Sequence, residues 1–163
     1  MSLLEDVLGQ FGGGLSALTG DIELMRAAVS AVAQVMASDG EVHASEVETA
    51  IDELETDAIL TEEYSTSALR GELSMAIERA RTPDGRTENA RYLAAIEGRP
   101  VEQRNSVFLI AFDVASAHHG VSAVEGSVLD AIAGILAIDK EGLVEIVRAR
   151  ALLLGNPAIE QGV

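Results

Sequence analysis

The sequence predicts an all-α fold, and three observations carry that expectation. Apolar residues recur at helical spacing along nearly the whole chain, and no stretch alternates with period two for long. Hydrophobic residues fill 48% of the 163 positions while aromatics fill only 3%, so the core is aliphatic and alanine-rich, which suits close-packed helices better than a sheet. The breaks between apolar stripes fall at glycine, proline and Asx-Gly pairs, the residues that reverse a chain. A single helical domain over residues 1–163 is expected.

The elements follow in order. Leu3, Leu4, Val7, Leu8 and Phe11 predict a short amphipathic helix that Gly12-Gly13-Gly14 ends. From Asp21 as N-cap, Met25, Ala28, Val29, Val32, Val35 and Met36 trace a second stripe that stops at Gly40. Val47, Ile51 and Leu54 mark the next helix, for which Ser45 and Glu48 have capping-box spacing. Leu69, Leu73, Ala76, Ile77 and Ala80 predict a helix within Thr61 to Arg81, and "TPDGR" at 82–86 reads as a turn. A short helix carries Ala90, Leu93, Ala94 and Ile96 up to "GRP" at 98–100. Val101 to Ala117 is apolar nearly all round, which predicts the buried centre of the bundle. "SAVE" at 122–125 is a capping box that opens the helix of Val128, Leu129, Ile132 and Leu136. A last helix is expected from about Asp139 to Leu154, closed by Gly155 and Pro157.

Charge and composition exclude several functions. Eleven basic against 27 acidic residues give a formal net charge of −16 and a pI near 4.4. Nucleic-acid phosphates and anionic lipid would be repelled, whereas cations and basic protein surfaces are the natural complements. The acidity also serves solubility. With no cysteine there is neither disulfide nor thiolate ligand. No basic n-region precedes an apolar run at the start, and no segment approaches the length of a membrane span, so a cytoplasmic protein without direct membrane insertion is expected.

Two stretches repeat. "VAQVMASDGEVHASEVETAIDEL" (32–54) and "AFDVASAHHGVSAVEGSVLDAIAGIL" (111–136) each show an apolar helix, an Asx-Gly or His-Gly stop, an acidic residue six or seven positions on, and another apolar helix. Asp39 corresponds to His119, Gly40 to Gly120 and Glu46 to Glu125, with spacings that differ by one residue. The duplication predicts helix pairs in halves at about 21–60 and 101–138, related by a pseudo-two-fold axis. Such an axis can bring both junctions to one side of the molecule.

On "ASDGEVHASE", "ASAHHGVSAVE" and "RYLAAIEGRP" (91–100), the chain resembles the tellurite-resistance protein TerB family, whose domain also occurs in some J-domain co-chaperones. The resemblance implies a bundle of seven to eight helices, carboxylate clusters that bind divalent cations, no catalysis, and protein partners in stress complexes at the inner membrane face. One departure stands out: His119 replaces the aspartate of the second copy. Imidazole is a poor ligand for a hard cation, so that copy is either lost as a site or turned toward Zn²⁺ or Ni²⁺.

The candidate metal ligands are Asp39, Glu41 and Glu46 at the first junction and Glu125 at the second, with Ca²⁺ as the expected ion. Asp39 sits where a helix C-terminus disfavours negative charge, and a cation would satisfy both it and the orphan carbonyls. A simpler reading is that Asp39 precedes a left-handed glycine while Glu46 or Glu48 complements the next helix dipole. The spacing is not that of an EF-hand. His43, His118 and His119 lack zinc-ligand spacing, and adjacent helical residues point about 100° apart. "GQFGGGLSALTG" follows a helix and has no lysine after it, so it is not a P-loop, and no Gly-x-Ser-x-Gly elbow occurs. Two functions remain: a cation-binding interaction module, or a metal-free acidic adaptor of co-chaperone type that docks on a basic partner.

Overall fold

The computed structural model describes residues 12–148 apart from 118, 119, 140, 144 and 146, with side chains from residue 22 onward except at 58 and 59. Its regular structure is helical throughout. In order come α1 (Gly12–Met36), a 3-10 turn (Ala37–Asp39), α2 (Ala44–Leu54), α3 (Ala58–Glu63), α4 (Thr66–Ala80), α5 (Pro83–Ala94), α6 (Val101–Ser116) and α7 (Ala123–Ile135). Helical backbone resumes at 141–143, where Leu143 is buried. The expected first helix at 3–11 and the chain beyond 148 lie outside the described residues.

The centre of the bundle is α1, not the 101–117 segment. Between Leu24 and Met36 only Arg26 and Gln34 escape full burial, and α4, α5 and α6 all pack on this helix. Its alanines at 27, 28, 31 and 33 keep the rod thin, so neighbours can approach from several sides. α6 instead buries Val107, Phe108, Ile110, Ala111, Val114 and Ala115 and leaves Gln103 to Ser106 and Asp113 partly exposed. Its polar start gives it an outer face that its apolar middle conceals from a periodicity count.

Three other expectations change. Helix α1 runs through Gly12–Gly14 and Asp21 without a stop, since low helix propensity, about 1 kcal/mol for glycine, disfavours a helix without forbidding it. The predicted 61–81 helix divides at Tyr64–Ser65, where the Ser65 hydroxyl accepts the Ala68 N–H at 3.1 Å and starts α4 afresh. "TPDGR" is a helix start rather than a turn. Thr82 is the N-cap, its hydroxyl accepting the Gly85 N–H at 3.0 Å, and Pro83 takes the first position, where its missing N–H costs nothing.

A buried polar hub fixes how α5 lies. Asn89 is fully buried; its Oδ1 accepts from Arg79 Nε at 2.7 Å and from Ser30 Oγ at 3.3 Å. Its Nδ2 donates to Gln34 Oε1 and to the Ala76 carbonyl, each at 3.1 Å. One amide thus joins α1, α4 and α5 with its donors and acceptor satisfied, as a buried polar group must be. At the other end, Arg104 Nη1 donates to the carbonyls of Leu136 (2.8 Å) and Ala137 (3.0 Å), so the start of α6 holds the C-terminus of α7.

Candidate functional site

Both junctions turn on a left-handed glycine. After α1, the 3-10 turn ends at Gly40 (φ 87°), whose N–H donates to the Ala37 carbonyl at 3.0 Å. Asp39 Oδ1 accepts the Glu41 N–H at 3.0 Å, and α2 begins after His43, an N-cap that makes no side-chain cap bond. After α6, Gly120 (φ 75°) precedes the N-cap Ser122. Here the expected capping box forms: Ser122 Oγ accepts the Glu125 N–H at 3.1 Å and Glu125 Oε1 accepts the Ser122 N–H at 3.0 Å. Ser45 and Glu48 form no such box, because Ser45 already lies inside α2 and Glu48 pairs with Arg70.

Counting from the caps settles the register of the repeat. Glu46 is the third residue of α2 and Glu125 the third of α7. The one-residue difference in spacing is confined to the link between each glycine and its cap.

These positions meet at one cavity of about 140 Å³. Asp39 and Glu46 line it from the first junction, and Gly120 and Glu125 from the second. Thr49 stands one turn beyond Glu46 on the same face of α2. Val35 and Met36 of α1 with Val114 and Ala115 of α6 supply an apolar lining. The concavity therefore carries three carboxylates against a hydrophobic floor, an arrangement that concentrates negative potential.

Of the four predicted ligands, the structure brings together Asp39, Glu46 and Glu125. Glu41 is not among the lining residues; its carboxylate lies 3.6 Å from His43 Nε2 on the exposed side of the turn. His118 and His119 lie outside the described residues. Sequence did not predict Thr49 or the four apolar residues as part of the site, Val35 and Met36 reading only as helix stripe, although the i, i+3 relation of Glu46 and Thr49 was a usable signal.

The donor set is all oxygen, which suits a hard cation. Asp39 and Glu125 each commit one carboxylate oxygen to a backbone N–H and keep a second outside that bond. Among the described residues, however, no group of three His, Asp or Glu side chains is close enough to hold a metal ion as it stands. A directly bound ion requires the carboxylates to swing inward. The Thr49 hydroxyl donates to the Ser45 carbonyl at 3.0 Å, so it is not activated by a base.

The described residues thus form a helical bundle with two like junctions at one acidic cavity. The family model for tellurite resistance protein TerB matches residues 25–149, and the chain belongs to that family. Neither the curated proteins nor the solved structures provide a match. No helix of the described residues is long and apolar enough to cross a membrane.

Proposed function

We propose that the protein is a non-enzymatic interaction module whose cavity between the helix junctions accepts positive charge, with a divalent cation such as Ca²⁺ as ligand. The observation that carries this reading is that Asp39, Glu46 and Glu125, contributed by separate junctions, line the same cavity. Asp39, Glu46 and Glu125 would hold the ion, with Thr49 and water completing the six to eight oxygens that Ca²⁺ takes. Inward movement of the carboxylates and an incomplete protein shell make binding weak, about 10⁻⁴–10⁻³ M. Calorimetric titration with Ca²⁺ and Mg²⁺ tests it. Saturable binding that Glu46→Gln removes is expected, and heats no larger than dilution would refute the metal reading.

A second reading is the metal-free adaptor, and the apolar floor favours it. Val35, Met36, Val114 and Ala115 offer nothing to a bare ion but would pack against the stem of a cationic side chain. In this reading the acidic face docks on a basic protein partner in a cytoplasmic stress complex, with the inner membrane face as its setting.

A further inference from the structure

We infer that the cavity and the apolar edge beside it form a docking surface for a protein segment that presents a lysine or arginine next to an aliphatic residue, an inference that rests on the adaptor reading. The first ground is exposure. The large hydrophobics exposed among the described residues are Met75, Val101, Val121 and Val124, and two of these four are chain neighbours of the cavity-lining Gly120 and Glu125. Val121, 38% exposed, follows Gly120 directly, and Val124, 53% exposed, precedes Glu125. Solvating two valines within one turn of a helix start has no benefit for folding.

The second ground is the make-up of the cavity. Its space is well above the roughly 10–15 Å³ that one water needs, so it admits the end of a side chain. A lysine or arginine places its methylenes against Met36 and Val114 and its charge against Asp39, Glu46 and Glu125. An aliphatic neighbour in the same segment then covers Val121 and Val124.

Charge decides the class of partner. At a net −16, nucleic acid, anionic membrane and a second copy of this chain are all repelled, while a basic segment is attracted. Neutral apolar peptides would cover three carboxylates and bring no counter-charge to them, which disfavours such peptides.

The test uses the full ¹⁵N-labelled chain and a synthetic peptide of alternating lysine and valine, in EDTA and about 0.15 M salt to screen diffuse attraction. Saturable amide shifts confined to the segments 39–46 and 120–126 are expected. Glu46→Gln and Val124→Ser should each weaken binding about three- to tenfold, the range of single exposed contacts. Glu62→Gln, an exposed acid of α3 away from the cavity, should leave it unchanged, and the lysine-acetylated peptide should not bind. Shifts spread over the whole acidic surface, equal effects of Glu46→Gln and Glu62→Gln, or no saturable binding would overturn the inference. A parallel Ca²⁺ titration separates it from the broader reading. Calcium binding without peptide binding removes the docking surface and keeps the cation cavity; failure of both removes the two together.

Discussion

Glu46 and Glu125 occupy the same place in their helices, third from the start, and reach one cavity from different junctions. Position three is where a carboxylate gains from the helix dipole and can close a capping box. Only Glu125 has a serine to close it with, since the cap before Glu46 is His43. The duplicated carboxylates therefore differ in setting: Glu125 closes a capping box with Ser122, whereas the residue that caps the helix of Glu46 is a histidine whose side chain makes no cap bond. Neutralising Glu46 tests charge in the cavity without breaking the Ser122–Glu125 capping box.

Gly85 should not tolerate a methyl group. A Cβ there would lie 1.9 Å from the Arg79 carbonyl oxygen and 2.5 Å from its carbon, both backbone atoms that cannot swing aside. Alanine ordinarily favours a helix over glycine by about 1 kcal/mol. Here the sign reverses, and Gly85→Ala is expected to destabilise by roughly 1–3 kcal/mol, as overpacking does. Urea denaturation checks this; an unchanged or raised midpoint would show that α4 and α5 are not in such close contact.

Phe108 is 6% exposed and stacks on Phe112 with ring centroids 6.3 Å apart. Phe108→Ala should cost about 3–5 kcal/mol in chemical denaturation, the transfer of the ring plus the void it leaves. A cost below about 1 kcal/mol would place the ring at the surface.

The pair Glu48–Arg70 gives a pH dependence with a definite sign. Arg70 Nη1 and Nη2 donate to the Glu48 carboxylate at 2.6 and 3.2 Å, tying α2 to α4. The hydrogen bond, then the charge, of Arg70 holds the Glu48 pKa below its ordinary 4.5. A lowered carboxylate pKa contributes stability that is fully present above the ordinary value and is lost as pH falls through the lowered one. Glu48→Gln should thus be less stable than the parent at neutral pH, with the gap closing in acid. Because both groups are exposed, high salt should narrow the gap as well. Denaturation midpoints of parent and variant across the acid limb measure it, and a constant gap would contradict the assignment.

Much of the architecture was legible because helix stripes and caps are local. Ser122 and Glu125 announce their capping box within four residues, and Asp39-Gly40 announces its turn. What failed depended on partners distant in sequence. Glu48 was claimed for a local cap, but Arg70, from another helix, holds it. "TPDGR" is the exception: its Thr82 cap and Pro83 at the first helical position are a local start signal, hidden under the composition of a turn. Asn89 looks like any exposed helical amide until α1 and α4 close over it. The central helix was misplaced for a related reason: alanine scores weakly as apolar, yet alanine is what lets α1 be surrounded. At the site, the repeat pointed to Asp39, Glu46 and Glu125, while the apolar floor could not be told from ordinary core.

The most direct measurement is the melting temperature with and without about 5 mM Ca²⁺ at fixed ionic strength, for the parent, Asp39→Asn and Glu125→Gln. Each substitution removes charge from one junction while keeping an oxygen that can accept the local backbone N–H. For a Kd of about 10⁻⁴–10⁻³ M the native state gains roughly 1–2 kcal/mol, a rise of about 2–8 °C for a domain of this size. The cavity shared by both junctions predicts that rise in the parent and its near loss in each variant. A parent that does not respond, or a rise that survives both substitutions, would contradict it.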